Sequence, residues 1–158
     1  MPSGDLFWYL ENFPSVADAQ AAAGPTGLVV ETGGKVWLFT LGPAGNASSG
    51  GTKVAEIGPL AKVQAPEYLL RVMQGSGPPG STTTVHTHPG SEAYYVVAGE
   101  ASQRTPHGVG RAQAGQPLAG HGADTVMQLT NSGATDVSYF ALFVVDATKP
   151  FSTPAKFD

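Results

Sequence analysis

The segment Val85–Glu100, VHTHPGSEAYYVVAGE, carries three side chains that could act together in chemistry. His86 and His88 are two residues apart, and Glu92 follows them after a Pro-Gly pair. Alternate residues of a strand face the same side, so the Cα atoms of the two histidines are expected about 6.5–7 Å apart. A single metal ion can bridge that distance.

Two imidazoles and one carboxylate form a ligand set that suits catalytic zinc and the facial triad of non-haem iron enzymes. A turn at Pro89-Gly90 can return the Glu92 carboxylate to the two histidines and leave open positions for water or substrate. The alternative is that both histidines are surface residues of a Thr-rich strand and that Glu92 is a solvated charge. The spacing of these three residues by itself leaves both interpretations open.

The composition around this segment is that of one globular, turn-rich domain. The chain has 158 residues, of which 41% are hydrophobic and 13% charged, with 21 Gly, 13 Pro and no Cys. That length suffices for a buried core, and the lack of cysteine excludes disulfides and thiolate metal sites. A net charge of -4 without a basic run argues against nucleic acid as a partner. The longest apolar run, Tyr139–Val145, is too short to span a membrane.

From Gly27 onward, short β-type runs alternate with clusters of Gly, Pro, Asn and Ser, which favours a sandwich or barrel over βαβ units. The predicted strands are GLVVETG, KVWLFTLG, TKVAEIG, YLLRVMQ, TTTVHTH, AYYVVAGEASQRTP, GRAQAG, TVMQLTN and VSYFALFVVD. The segment Gly42–Gly51 is predicted to be a surface loop.

One short helix is predicted around Ser15 to Ala23, with Ser15 as its N-cap and Gly24 as its stop. The apolar segment Leu6–Phe13 before it is expected to cover a sheet or a subunit partner. We therefore predict an N-terminal extension, residues 1–26, followed by a single barrel, residues 27–158.

The glycines around the histidines make the pattern more specific. It reads Gly80, five residues, His86, one residue, His88, three residues, Glu92, six residues and Gly99. This resembles the first signature motif of the cupin family, and the resemblance covers residues 68–146. It implies an all-β fold, the double-stranded β-helix or jelly-roll barrel, in which His86, His88 and Glu92 bind a metal at the mouth.

The second cupin motif, which typically ends P-x-G-x-x-H-x-x-x-N, is incomplete in this chain. Alignment on Asn131 of GADTVMQLTNSG places Met127 at the histidine position and Gly122 and Asp124 at the positions of Pro and Gly. The fourth family ligand is therefore expected to be absent.

The other two histidines, His107 and His121, lie at predicted turns and are interpreted as exposed polar residues, not as replacement ligands.

Three further residues are predicted to bind substrate. Tyr94 shares the parity of Glu92, and Arg71 is the one charge in the apolar strand YLLRVMQ, where it could anchor a carboxylate. The alternatives are core packing for Tyr94, and solvent or a dimer contact for Arg71. Met127 is either an apolar wall beside the ion, which we favour, or a weak thioether ligand.

The resulting hypothesis is a metal-binding cupin that acts on an unidentified small organic molecule, as an oxygenase, lyase or isomerase. The cofactor is expected to be one divalent transition metal, Fe, Mn, Ni, Zn or Cu. The alternative is a non-catalytic binding or sensing module with a degenerate metal site. A homodimer is predicted, in which Leu6–Phe13 and the C-terminal PFSTPAKF wrap a neighbour. Cytoplasm and periplasm both stay open as compartments.

Overall fold

The computed structural model describes residues 4–45 and 50–158, and within these ranges it contains one helix and thirteen strands. The chain divides into two compact units, Met1–Leu60 and Ala61–Asp158. None of the described residues forms a helix that is long and apolar enough to cross a membrane. The predicted loop Gly42–Gly51 includes residues 46–49, which lie outside the described ranges.

The first unit is a four-stranded antiparallel sheet with one helix. Its elements are β1 (Leu6–Phe13), α1 (Val16–Ala22), β2 (Gly27–Thr32), β3 (Lys35–Pro43) and β4 (Thr52–Ile57), and the strand order is β2-β3-β1-β4. Gly33 and Gly34 join β2 to β3 with φ of 61° and 73°, as a two-residue hairpin requires. The helix begins at its predicted N-cap, where the Ser15 hydroxyl accepts a hydrogen bond from the Asp18 N–H at 3.1 Å.

The division of the chain differs from the predicted one. The sequence suggested that one barrel begins at Gly27, but β2 and β3 join β1 in the sheet of the first unit. The extent of the domains stays a prediction, but the compact units divide at Leu60/Ala61 and not at 26/27. The reason is that Leu6–Phe13 is itself a strand whose buried apolar residues pair on both sides, and local alternation does not show which runs will pair.

The second unit is a jelly-roll barrel, the double-stranded β-helix that the sequence predicts. Its strands are β5 (Tyr68–Gly77), β6 (His86–Thr87), β7 (Gly90–Ala98), β8 (Glu100–Thr105), β9 (Gly108–Gln113), β10 (Pro117–Leu118), β11 (Gln128–Asn131), β12 (Val137–Asp146) and β13 (Thr153–Pro154). They form sheets of order β10-β7-β12-β5 and β11-β8-β9, with β13 paired to β6. The stretch from the start of β5 to the end of β12 coincides with the predicted motif region, residues 68–146.

The barrel closes around side chains that the two larger sheets contribute from their inner faces. Ten buried residues form this core: Tyr94, Val96, Ala101, Ala112, Leu118, Leu129, Val137, Ala141, Phe143 and Val145. The run AYYVVAGEASQRTP, predicted as one strand, crosses from one sheet to the other at Gly99. That glycine has φ 77°, and a Cβ there would lie 2.6 Å from the Asp136 carbonyl oxygen.

The two segments that were expected to wrap a neighbouring subunit have partners within their own chain. Leu6–Phe13 is β1, which lies between β3 and β4, and the C-terminal tail contributes β13, which pairs with β6. These two segments therefore no longer argue for the predicted homodimer. It stays a prediction, which sedimentation at micromolar concentration tests.

Candidate metal centre

The candidate ligands lie where β6 leads into β7. His86 opens β6, His88 follows it, and Glu92 is the third residue of β7. Gly90 allows β7 to start close to β12, because a Cβ on this residue would collide with the Val144 carbonyl oxygen. β6 pairs with β13 and not with β7. The Pro89-Gly90 segment therefore leads from one sheet into another and does not close a hairpin.

His86, His88 and Glu92 come together as the sequence predicts. One potential ligand atom from each residue lies within 4.8 Å of the other two. The Nε2 atom of His88 is 3.3 Å from Oε2 of Glu92, and the two imidazole rings meet edge to face with centroids 4.7 Å apart. His88 and Glu92 are buried, whereas His86 is half-buried.

Backbone carbonyls fix the protonation of both imidazoles. His86 Nδ1 lies 2.6 Å from the Thr84 carbonyl oxygen, and His88 Nδ1 lies 2.6 Å from that of Phe151. A carbonyl oxygen only accepts, so each Nδ1 carries the proton and donates. The Nε2 lone pair of each neutral ring is therefore free to bind a metal, in the arrangement typical of metal-ligating histidines.

The carboxylate of Glu92 occupies an unusual environment. It is 3% exposed, and its Oε2 has no hydrogen-bond partner among the described residues. Burial raises the pKa of Glu92 to about 8, and the neighbouring Tyr94 hydroxyl opposes this to a smaller extent. Burial also lowers the pKa of His88, with a smaller effect of His86 in the same direction and an opposing one from the Phe151 carbonyl.

The short distance between His88 and Glu92 is therefore not an ion pair, since Nε2 of His88 carries a lone pair and the raised pKa of Glu92 favours its protonated form. With Nδ1 protonated and the pKa lowered, His88 presents a lone pair to a carboxylate oxygen 3.3 Å away. Such a contact is unfavourable unless a proton or a cation lies between the atoms. Two free imidazole nitrogens and an unpartnered buried carboxylate oxygen fit a divalent transition metal.

Met127 lies beside His86, where the alignment of the second motif places it. The two residues form an antiparallel bridge with reciprocal backbone hydrogen bonds of 3.0 and 2.9 Å, so their side chains share a face. The Met127 sulfur accepts from the Tyr94 hydroxyl and from Nε2 of Gln103, each at 3.8 Å. These donors engage the sulfur, which favours the wall over the ligand interpretation.

Asp124 supports the same alignment. It stands where the family pattern has a glycine, and it is the only non-glycine residue with positive φ, 62°, in the described part of the chain. Aspartate tolerates this left-handed conformation better than most residues.

Asn131, on which the second motif is aligned, is a structural residue. Its side-chain amide donates to the carbonyls of Gly77 and Thr135.

Of the residues predicted to bind substrate, Tyr94 is in the core and Arg71 is at the rim. The Tyr94 hydroxyl donates to Met127, and burial raises its pKa well above the usual value. Arg71 is exposed, and its guanidinium lies 4.2 Å from the centroid of the Phe151 ring. In register, Phe143 pairs with Arg71 on one side and with Glu92 on the other, so the three side chains share one face.

Gln103 and Phe151 contact the candidate site but were not predicted from the sequence. Gln103 is buried on β8, in step with the core residue Ala101, and an inward-facing polar residue of a strand could have signalled it. Phe151 lies 63 residues from His88 in the sequence, and no spacing rule connects the two.

His107 and His121 form a separate pair. Their rings stack with centroids 5.1 Å apart, and Nε2 of His121 lies 3.5 Å from the Thr105 hydroxyl. His107 is exposed and His121 half-buried. Among the described residues, neither belongs to the group that could hold a metal.

The chain is similar to several solved structures of double-stranded β-helix and cupin proteins. No family model matches the chain, and no curated protein does. An uncharacterized protein with a double-stranded β-helix domain from Klebsiella pneumoniae is similar, with 25% identity over 55% of this chain and 76% of that one, at a TM-score of 0.47. A cupin 2 conserved barrel domain protein from Leptotrichia buccalis is 13% identical, and the match covers 89% of this chain and 74% of that one (TM-score 0.44).

A sugar phosphate isomerase of the cupin superfamily from Silicibacter pomeroyi is 16% identical over 54% of this chain and 67% of that one, with a TM-score of 0.42. The fold assignment itself rests on the strand order and register given above. The all-β jelly-roll fold that the resemblance implies is confirmed by that strand order.

Proposed function

We propose that His86, His88 and Glu92 bind one divalent transition metal, and that the barrel uses it to act on a small organic acid. The observation that carries this proposal is the buried Glu92 oxygen, which lacks a hydrogen-bond partner and faces the free Nε2 of His88 at 3.3 Å. A core made only for stability would not bury a carboxyl group whose oxygen lacks a hydrogen-bond partner beside an imidazole lone pair. Fe, Mn, Ni, Zn and Cu all remain compatible with this ligand set.

Three protein ligands leave coordination positions for water or substrate. A metal bound there would polarise a substrate oxygen or lower the pKa of a bound water. Met127 keeps one of these positions apolar, since its sulfur already accepts hydrogen bonds from Tyr94 and Gln103. Tyr94 and Met127 together form the inner wall against which a substrate would lie.

Arg71 supports an anionic substrate. It shares a face with Glu92, two strand positions away across Phe143, which places the Cα atoms of Arg71 and Glu92 about 10 Å apart. Stacking on Phe151 engages the flat face of the guanidinium. Its N–H edge then suits a bidentate contact with a carboxylate. A molecule with an oxygen donor at the metal and a carboxylate at Arg71 fits this separation.

The test uses apo-protein loaded with Co²⁺, whose visible absorption reports the ligands. Malonate and lactate are titrated into the loaded protein, with malonamide as the uncharged control. We expect both acids to perturb the spectrum, and Arg71→Met to weaken their binding about 10- to 100-fold. Arg104→Met is the matched control, because Arg104 lies 4.0 Å from the Phe157 ring on the opposite face of β8 from Gln103.

Three outcomes would change the proposal. If Co²⁺ does not bind, the metal site is wrong. If the acids bind no better than malonamide, or if Arg71→Met and Arg104→Met behave alike, the substrate class is wrong. Acid binding without turnover of any acid tested would favour the non-catalytic binding module.

A further inference from the structure

We propose that the C-terminal segment Phe151–Phe157 completes the metal centre, with the Phe151 carbonyl as the group that positions His88. This inference rests on the proposed metal site. The carbonyl oxygen of Phe151 accepts from Nδ1 of His88 at 2.6 Å. By accepting this hydrogen bond, the Phe151 carbonyl keeps the proton on Nδ1, so the unprotonated Nε2 of His88 faces Glu92.

The segment is attached to the strand that carries the first ligand. Within β13 and β6, Thr153 pairs with Thr87 and Pro154 with His86. The Ala155 N–H also donates to the Val85 carbonyl at 3.0 Å. The tail thus runs alongside His86 after it has contacted His88, and it orders both histidines from one side.

The side chain of Phe151 holds its own carbonyl in place. Its ring packs 4.7 Å from the His88 ring and 4.8 Å from that of Phe143, measured between centroids. The Arg71 guanidinium covers it at 4.2 Å. The rings of His88, Phe143 and Phe151 therefore form a triangle, since Phe143 is also 4.7 Å from His88. This packing restricts rotation of the imidazole, while the carbonyl selects its tautomer.

A second anchor of the same tail lies away from the ligands. The Arg104 guanidinium lies 4.0 Å from the Phe157 ring, and Arg104 is on β8 with its side chain exposed. Phe151 and Phe157 are therefore matched: each is a tail phenylalanine under an arginine, but only Phe151 contacts a candidate ligand.

The first experiment compares two truncations of the chain. Ending it after Lys149 removes the Phe151 carbonyl and β13, and ending it after Ala155 removes only Lys156–Asp158. Outer hydrogen bonds to metal-binding histidines typically change metal affinity 10- to 100-fold. We expect the shorter chain to bind Zn²⁺ about 10- to 100-fold more weakly, measured by competition with a chromophoric chelator, and the longer one to bind as the full chain does.

The second measurement is independent of metal. Long-range ¹H–¹⁵N correlation spectra of the apo-protein show which nitrogen of each histidine carries the proton. We expect His88 protonated at Nδ1 in the full chain, and a shift toward Nε2 protonation after truncation at Lys149. A loss of packing alone would not change the tautomer.

Full-length variants decide the matter if the truncated chain does not fold. Replacing Ser152 by its α-hydroxy acid turns the Phe151 carbonyl into that of an ester, a weaker acceptor, and the same replacement at Phe157 is the control. We expect weaker Zn²⁺ binding and the tautomer shift only for the first. Unchanged affinity and tautomer in this ester, with normal metal binding, would overturn the inference. Absence of Zn²⁺ binding in the unmodified protein would instead contradict the proposed metal site.

Discussion

The chain has two pairs of neighbouring histidines, and they differ in what surrounds them. In the first pair, His86 and His88 each donate Nδ1–H to a backbone carbonyl, and a buried carboxylate lies beside them. In the second, His107 and His121 stack on each other at the surface, with a Thr105 hydroxyl as neighbour. The ring centroids are similarly close in both pairs, 4.7 and 5.1 Å.

The difference shows that proximity of imidazoles does not by itself make a metal site. What distinguishes the first pair is that outer acceptors fix both tautomers and that the buried Glu92 carboxyl has an oxygen, Oε2, without a hydrogen-bond partner. Rings that stack nearly parallel, at 28° for the second pair, present faces to each other and direct their in-plane lone pairs elsewhere.

The largest expected effect separates the two pairs directly. His86→Ala with His88→Ala should reduce bound metal from one ion per chain to none, because two of three ligands are lost. The barrel should remain folded, since its core consists of apolar side chains from both sheets. His107→Ala with His121→Ala is the matched control and should leave metal content unchanged. Equal metal content in the two double variants would place the site elsewhere.

Substitutions of Met127 test whether a fourth ligand can be added beside the first pair of histidines. Met127→His should add a fourth ligand opposite His86 and tighten Zn²⁺ binding by at least about tenfold. Met127→Leu keeps the apolar wall and should leave metal affinity nearly unchanged. Titration of apo-protein with Zn²⁺, Ni²⁺ and Fe²⁺ measures both. A large loss in the Leu variant would make Met127 a ligand, and no change in the His variant would refute the alignment of the second motif.

The pH dependence of stability tests the environment of Glu92, the carboxyl that distinguishes the first pair of histidines from the second. A carboxyl whose pKa is raised on folding holds its proton more tightly in the folded state, so metal-free stability falls as pH rises toward the pKa of about 8 for Glu92. The pKa of His88 is lowered by burial, so this histidine costs stability only below its ordinary 6.5. Between pH 6.5 and 8 the metal-free protein should lose about 2 kcal/mol.

Thermal unfolding across that window is the measurement, and Glu92→Gln should make the profile flat. Added Zn²⁺ should stabilise the protein more as pH rises, because the metal requires the ionised carboxylate. A wild-type profile as flat as that of Glu92→Gln would mean that Glu92 already has a hydrogen-bonded or solvated environment.

The smallest expected effect concerns the turn beside the first pair. The Asp124 N–H donates to the His88 carbonyl at 2.9 Å, and its φ of 62° is left-handed. Asp124→Ala should cost about 1 kcal/mol of unfolding free energy, whereas Asp124→Gly should be nearly neutral. Chemical denaturation measures both. A neutral alanine variant would mean that this conformation is not imposed by the fold.

The sequence predicted those parts of the molecule that follow from local pattern. Most strand runs and the helix capped by Ser15 lie where expected, and His86, His88 and Glu92 come close together, because these features depend on alternation, capping chemistry and short spacing. The first unit was missed because β1 pairs with β3 over long sequence separation, and nothing in the run Leu6–Phe13 specifies that partner.

The outer parts of the site escaped prediction for the same reason. Phe151 reaches His88 only because β13 pairs with β6, and Gln103 meets Met127 only because the chain crosses between sheets at Gly99. Arg71 was singled out as an unusual charge, but its stacking on Phe151 depends on the tail. Composition and spacing identify candidate ligands, whereas the groups that orient them are brought in by tertiary pairing.

The central claim is that two imidazoles and a carboxylate bind a metal while the nearby thioether does not. X-ray absorption at the metal edge, on protein purified without an affinity metal and analysed for its elements, tests this most directly. We predict one transition metal per chain with two imidazole ligands, further oxygen ligands and no sulfur scatterer. Substoichiometric metal, or a sulfur atom in the coordination shell, would contradict the account.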